Sequence, residues 1–302
     1  MQQLLIRRDG VSAPALVLGI SLLAISFACF LLLFSFEGNW NSWKQATCLE
    51  TGGCFCEKAR DRLVRQPVNT FSNLVFCLVG VVVLMESIQQ QIAKRSASDS
   101  ERLGVAFSCL YAISQIVLGA GSGWFHASLT FGGQWIDNAA MYFTVTAPLL
   151  FTLMQLRVHY NHSIPNVAER YVAQWICSNV FLGWMVLVMP ATRRWVFVVL
   201  ILALLLVEMF ARRVLPRRSQ VAKLSLLGSA IISFAVAFFV WTLDIRRILC
   251  WPESIFQGHA VWHFLTGLSA FYIYLYYHPL ANNLTLPSRQ SKNQSKITRN
   301  QF

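Results

Sequence analysis

The chain has 302 residues, 56% of them hydrophobic and only 13% charged. Soluble domains carry about 25% charged residues, so an ordinary soluble enzyme is excluded and a membrane protein is expected. A net charge of +12 would suggest nucleic acid in a soluble chain; here the basic residues fall mainly in loops and tails, where they orient helices and meet anionic head groups, and no nucleic-acid partner is expected.

Arg7 and Arg8 precede a long apolar run over 13–35. It is longer than a signal-peptide core and is followed by no clear small-residue cleavage site, so it reads as an uncleaved first helix. A polar loop over 37–66 holds Cys48, Cys54, Cys56 and Glu57. Apolar runs follow at about 68–92, 103–126, 133–156, 171–190, 195–211, 222–243 and 258–277, near the roughly 20 residues that span a bilayer. With the first, that makes eight helices. The segment after Leu280 is polar and is expected to be disordered. The expected fold is all-α: a polytopic membrane helical bundle.

With the N-terminus in the cytoplasm, 16 of the 25 Lys and Arg residues lie on the inner side. The positive-inside rule therefore puts both termini in the cytoplasm, and the sequon matches at Asn161 and Asn283 fall on the unmodified side. In an eight-helix chain the third helix ends, and the fourth and eighth begin, on the same, outer or luminal, face. Ser122, His126, Asp137, His259 and His263 consequently share one membrane depth whichever way the chain inserts.

Those five residues suit one chemistry. Ser122 and His126 are four apart, as are His259 and His263, and residues at that spacing share a helix face with Cβ atoms about 5–6 Å apart. His259 and His263 can bind one metal together, and His126 supplies a third ligand from another helix. Three histidines with an open fourth position are the ligand set of a catalytic zinc, which lowers the pKa of its water to about 7. Asp137 is placed to take a proton from such a water, and Ser122 to donate to a developing oxyanion. Other readings of the same residues are haem ligation by the histidine pair, small-residue helix contacts for Ser122 and Ser128, and a dipole-stabilised acid for Asp137.

The segments QPVNTFSNLVF (Gln66–Phe76), GSGWFHASLTFGGQWID (Gly121–Asp137) and GHAVWHFLTGL (Gly258–Leu268) occur in an order that resembles the alkaline ceramidase family. This family is part of a membrane hydrolase superfamily that includes adiponectin-receptor-like and GPI-remodelling proteins. The resemblance implies a seven-helix catalytic core over 54–278, preceded by a segment over 1–53 with the extra helix and its loop, and followed by a polar tail over 279–302. It implies zinc on His126, His259 and His263, with Ser122 and Asp137 serving hydrolysis of the N-acyl bond of ceramide or a related lipid. Calcium is not expected: Glu57 is the residue that answers to the family's calcium-binding segment, but Lys58, Arg60, Arg62 and Arg65 surround it and Gln66 stands where a second acid belongs, whereas calcium wants several oxygen ligands.

The 37–66 loop and the loop before the last helix fall on one face, so Cys54 or Cys56 can bond to Cys250 in an oxidising compartment; the resemblance favours Cys56. Cys77, Cys109 and Cys177 lie within helices as free thiols. Asn69, Ser72 and Asn73 read as groups bonding neighbouring helices, and the aromatic run Phe271–Tyr277 as an interfacial belt. Alternatives to an amidase are a lipid ester hydrolase of GPI-remodelling type and a non-catalytic, receptor-like lipid-binding protein.

Overall fold

A computed structural model describes residues 40–50, 53–93, 99–161, 164–215, 218 and 221–282. The first apolar run over 13–35 lies outside the described residues, as does the polar tail beyond Asn282; residues 279–282, expected in the tail, instead continue the last helix. What is described is an all-α membrane bundle: α1 (Pro67–Ser72), α2 (Leu74–Ala93), α3 (Asp99–Ser128), α4 (Phe131–Asn161), α5 (Val167–Val188), α6 (Arg193–Val214), α7 (Leu224–Ile245) and α8 (Gly258–Asn282). The described residues contain no strand, only an isolated bridge between Gln45 and Thr130.

Six of these segments, with α1 and α2 counted as one, are long and apolar enough to cross a membrane. Helix α8 is long enough too, about 37 Å for its 25 residues at 1.5 Å per residue. Its histidines and tyrosines make it more polar, which fits its place inside the bundle against α7, α2 and α3. Burial ranks the helices: 72% of the α4 span is buried but only 17% of those of α6 and α7. Helix α4 is thus the central post. Helices α5, α6 and α7 turn side chains such as Phe181, Trp184, Leu202 and Phe239 outward, as lipid-facing helices must.

Local chemistry explains the element boundaries. Pro67 sits in the first turn of α1, where its missing N–H costs nothing. The next free amides, of Val68 and Asn69, donate to the two carboxylate oxygens of Glu57 at 2.9 and 2.8 Å, so a side chain ten residues upstream caps the helix. Helices α3 and α4 are joined by a sharp turn at Leu129, whose φ of 50° is costly for a bulky residue. The turn is held from outside: Ala46 donates to the Leu129 carbonyl at 2.9 Å and Phe131 donates to the Lys44 carbonyl at 2.7 Å. Gly119 allows α3 to approach α2, since a Cβ there would lie 3.0 Å from the Asn73 carbonyl oxygen.

Helices α6 and α7 follow one another in sequence yet scarcely meet; Phe197 and Phe234 face each other across the gap, 6.3 Å between ring centroids. A cavity lies between them.

At the opposite end of the bundle from the histidines, the tyrosines expected at an interface are inside. Tyr276 and Tyr277 are 0% and 1% exposed. Both donate to Glu208, that of Tyr277 at 2.8 Å, and Glu208 is also paired with Arg218. Arg218 reaches Thr152 at 2.9 Å and Gln155 as well. Burial alone would pull the Arg218 pKa down; the hydrogen bonds it donates to the Glu208 carboxylate outweigh this and hold the guanidinium above its ordinary value. Breaking a buried pair leaves an uncompensated charge and typically costs about 3–5 kcal/mol. Arg218→Met is therefore expected to lower unfolding stability in detergent by that order, with Glu208→Gln in the same chain recovering part of the loss.

Candidate metal centre and active site

The last two turns of α3 carry Ser122 and His126, the first two turns of α4 carry Asp137, and the first two turns of α8 carry His259 and His263. The start of α8 is fixed by Asp244, at the end of α7. One Asp244 oxygen accepts the His259 amide at 3.0 Å and the other accepts the Cys56 amide at 3.1 Å. Gly258 permits this, because a Cβ there would stand 3.0 Å from that of Asp244.

His126, His259 and His263 converge. They are 0%, 5% and 3% exposed, and one ring nitrogen of each lies within 4.8 Å of the others. The Nε2 atoms of His126 and His259 are 3.1 Å apart. The rings are oriented from behind. Gln66 donates its amide N–H to the Glu57 carbonyl at 2.8 Å, which leaves its oxygen to face His126 Nδ1 at 3.0 Å. The Ser72 hydroxyl donates to the Asn69 carbonyl at 2.9 Å, so it accepts from His263 Nδ1 at 2.7 Å. Both histidines thus carry their proton on Nδ1 and present a bare Nε2 to the common point. Two nitrogens that close share either a proton or a cation; a third imidazole turned to the same point favours the cation. The group could hold a metal ion.

Beside it are Ser122, 2% exposed, and Asp137, which is half-buried and faces a cavity. The Ser122 side chain and the Arg193 charge, at the start of α6, both act on Asp137. The cavity, about 880 Å³, is also lined by His259 and His263 and continues along Met141, Val145, Phe234 and Ile273 to Glu208 and Tyr277. That is the size and apolar character of a lipid or small-molecule pocket. His159 is on the last turn of α4, and His278 pairs with Asn282 and Glu86; neither joins the site.

A strap formed by residues 54–57 lies over the histidines. Cys56 is bonded to Cys250, and Cys54 to Cys48. The second bond was not anticipated, although four cysteines in two loops of one face call for two pairs. Cys77 and Cys109 are free and half-buried, and Cys177 is free and exposed on α5. Glu57, the candidate calcium ligand, has both oxygens taken by the α1 amides. Burial pushes its carboxyl above the usual range, against the pull of those amides and of Arg60. Gln66 and Ser72, which hold the ligand rings, and Asp244, which sets α8, were not singled out as site residues. Gln66 and Ser72 lie 60 and 191 residues from their histidines, and no local spacing signals such pairs.

Partners on the outer nitrogen orient metal-binding imidazoles, and losing one typically weakens metal binding about 10- to 100-fold. Ser72→Ala is expected to loosen metal by about that factor, measured by chelator competition.

The chain is 25% identical over 224 residues to the Dictyostelium discoideum protein named "Putative alkaline ceramidase dcd3A", a stretch covering 67% of this chain and 76% of that one. The sequence model of the family described as Ceramidase matches residues 55–299, a range that takes in the strap from Phe55 onward, the three converging histidines and every helix from α1 to α8. A buried three-histidine cluster on an apolar intramembrane cavity thus comes with the family signature across most of the chain, which belongs to the ceramidase family.

Proposed function

We propose that the protein is a zinc-dependent intramembrane amidase that cleaves the N-acyl bond of ceramide or a closely related lipid, giving a fatty acid and a sphingoid base. The observation that carries this reading is the convergence of His126, His259 and His263 at the head of the apolar cavity, with Asp137 and Ser122 on its wall. Zinc ligands about 2.0–2.1 Å from the ion at tetrahedral angles stand roughly 3.3 Å apart. The 3.1 Å between the His126 and His259 nitrogens is close to that, and an all-imidazole donor set suits zinc. When bound, zinc supplies Lewis acidity towards a carbonyl oxygen and a nucleophilic water near neutral pH.

The chain supplies the rest. The cavity takes the alkyl chains, which reach it sideways from the bilayer between α6 and α7, and its walls keep bulk water from the bond. Asp137 accepts a proton from the attacking water and returns it to the departing amine, as a general base turned acid. The Ser122 hydroxyl beside Asp137 turns its single O–H from that carboxylate to the substrate carbonyl oxygen as the oxygen becomes anionic. Disulfides persist in oxidising compartments, so the Cys48–Cys54 and Cys56–Cys250 bonds support placing the histidine end on the outer or luminal side, with the termini in the cytoplasm.

The test is release of sphingoid base and fatty acid from ceramide in mixed micelles by the purified protein, with a glycerolipid ester assayed alongside. Ceramide cleavage is expected. Ester cleavage without amide cleavage would move the protein to the GPI-remodelling type of chemistry.

A further inference from the structure

Phe55 lies between two half-cystines: Cys54 is bonded to Cys48, and Cys56 to Cys250. The first bond ties the strap to the Thr47–Glu50 turn, the second ties it to the loop before α8. A ring held on both sides in this way has little freedom, and where it is held is informative. It stacks on the His259 imidazole, with centroids 3.7 Å apart and planes at 27°, and it also lies 4.9 Å from the ring of His126.

His259 needs such a neighbour more than the other two ligands do. His126 is oriented through Nδ1 by Gln66, and His263 through Nδ1 by Ser72. The Nδ1 of His259 is buried and has no hydrogen-bond partner among the described residues. A metal-binding imidazole is normally turned to its metal by a partner on the second nitrogen. Without one, the broad, shallow torsion about the ring bond leaves its plane to packing, and the packing on its face is Phe55. Helix α8 fixes the Cα of His259 through Asp244, so the plane of the ring is what remains to be set.

We propose that Phe55 is the positioning residue for His259, and that the Cys48–Cys54 and Cys56–Cys250 bonds set the metal affinity of the three-histidine centre by holding Phe55 against it. The proposal rests on reading the three histidines as a metal centre. Stacking takes the place of the missing hydrogen bond, and the two bonds take the place of a preorganised loop.

The experiment is zinc affinity by chelator competition on the full chain in detergent. It is run on the wild type, Phe55→Leu, Phe55→Tyr and the double variant Cys48→Ser/Cys54→Ser, and the cobalt-loaded forms are compared by visible absorption. Phe55→Leu is expected to bind zinc about 10- to 100-fold more weakly, the range for losing an orienting partner, with altered cobalt ligand-field bands. Phe55→Tyr keeps the ring face and is expected to keep wild-type affinity and bands. The double variant is expected to weaken zinc in the same direction but less, since Cys56 still holds one side. Wild-type affinity and bands in Phe55→Leu would overturn the proposal while leaving the metal centre intact. If Phe55→Leu does not fold, unchanged zinc affinity in the double variant overturns it instead. A wild-type chain that binds neither zinc nor cobalt removes the underlying metal reading, an outcome separate from the other two.

Discussion

Replacing His263 by alanine is expected to remove bound metal and lipid hydrolysis together. His263 is 3% exposed, and its ring is committed on one side to Ser72 at 2.7 Å and on the other to the point shared with His126 and His259. Two imidazoles remain in the variant, a poor site for zinc beside three. A metal contributes several kcal/mol to the stabilisation of a hydrolytic transition state, and each 1.36 kcal/mol is tenfold in rate, so the turnover lost is about 10³-fold or more. The fold is expected to survive, because α8 is anchored elsewhere by Asp244 and by the tyrosines at its far end. Metal analysis and fatty-acid release on one preparation check this. Normal hydrolysis by the variant would place the active site elsewhere.

Asp137→Asn is expected to separate binding from chemistry. Asparagine has the same shape, and its side-chain oxygen can still accept from the Ser122 hydroxyl. Asp137 is not one of the converging metal-binding groups, so metal content is expected to stay at the wild-type level. What is lost is the proton acceptor. General-base catalysis is worth typically 10²–10⁴-fold, and a fall in kcat of about 10³-fold with little change in KM is the expected signature. The variant should still retain ceramide in a pull-down or a fluorescence binding assay. A fall confined to KM would mean that Asp137 holds the lipid instead of moving a proton.

The parts of this architecture that were legible in the sequence are those with local spacing. Ser122 and His126, and His259 and His263, stand four residues apart on their helices, and the alternation of helix direction brings both pairs and Asp137 to one end. Helix positions were readable from the apolar runs, with boundaries short by a few residues; α3 begins at Asp99 and α4 runs to Asn161, because polar residues continue those helices past their apolar spans. What was not legible depends on contacts distant in sequence. Tyr276 and Tyr277 read as an interfacial belt because their partners, Glu208 and Arg218, come from another helix and the loop after it. Ser72 read as a helix-contact residue, and its position behind His263 follows only from the packing of α1 against α8. Phe55 had no signal of its own. The Cys-Phe-Cys pattern was its one clue, and it becomes meaningful only when Cys48 takes one cysteine and Cys250 the other.

Metal held by His126, His259 and His263 is expected to run an amidase in the membrane. The most direct test is to strip the detergent-purified protein with a chelator, restore zinc in measured amounts, and follow zinc bound and ceramide cleaved in the same samples. Cleavage that vanishes on stripping and returns in proportion to zinc, saturating at one ion per chain, is the predicted result. Full ceramide cleavage by metal-free protein, or zinc bound at that stoichiometry with cleavage unaffected by its removal, would contradict it.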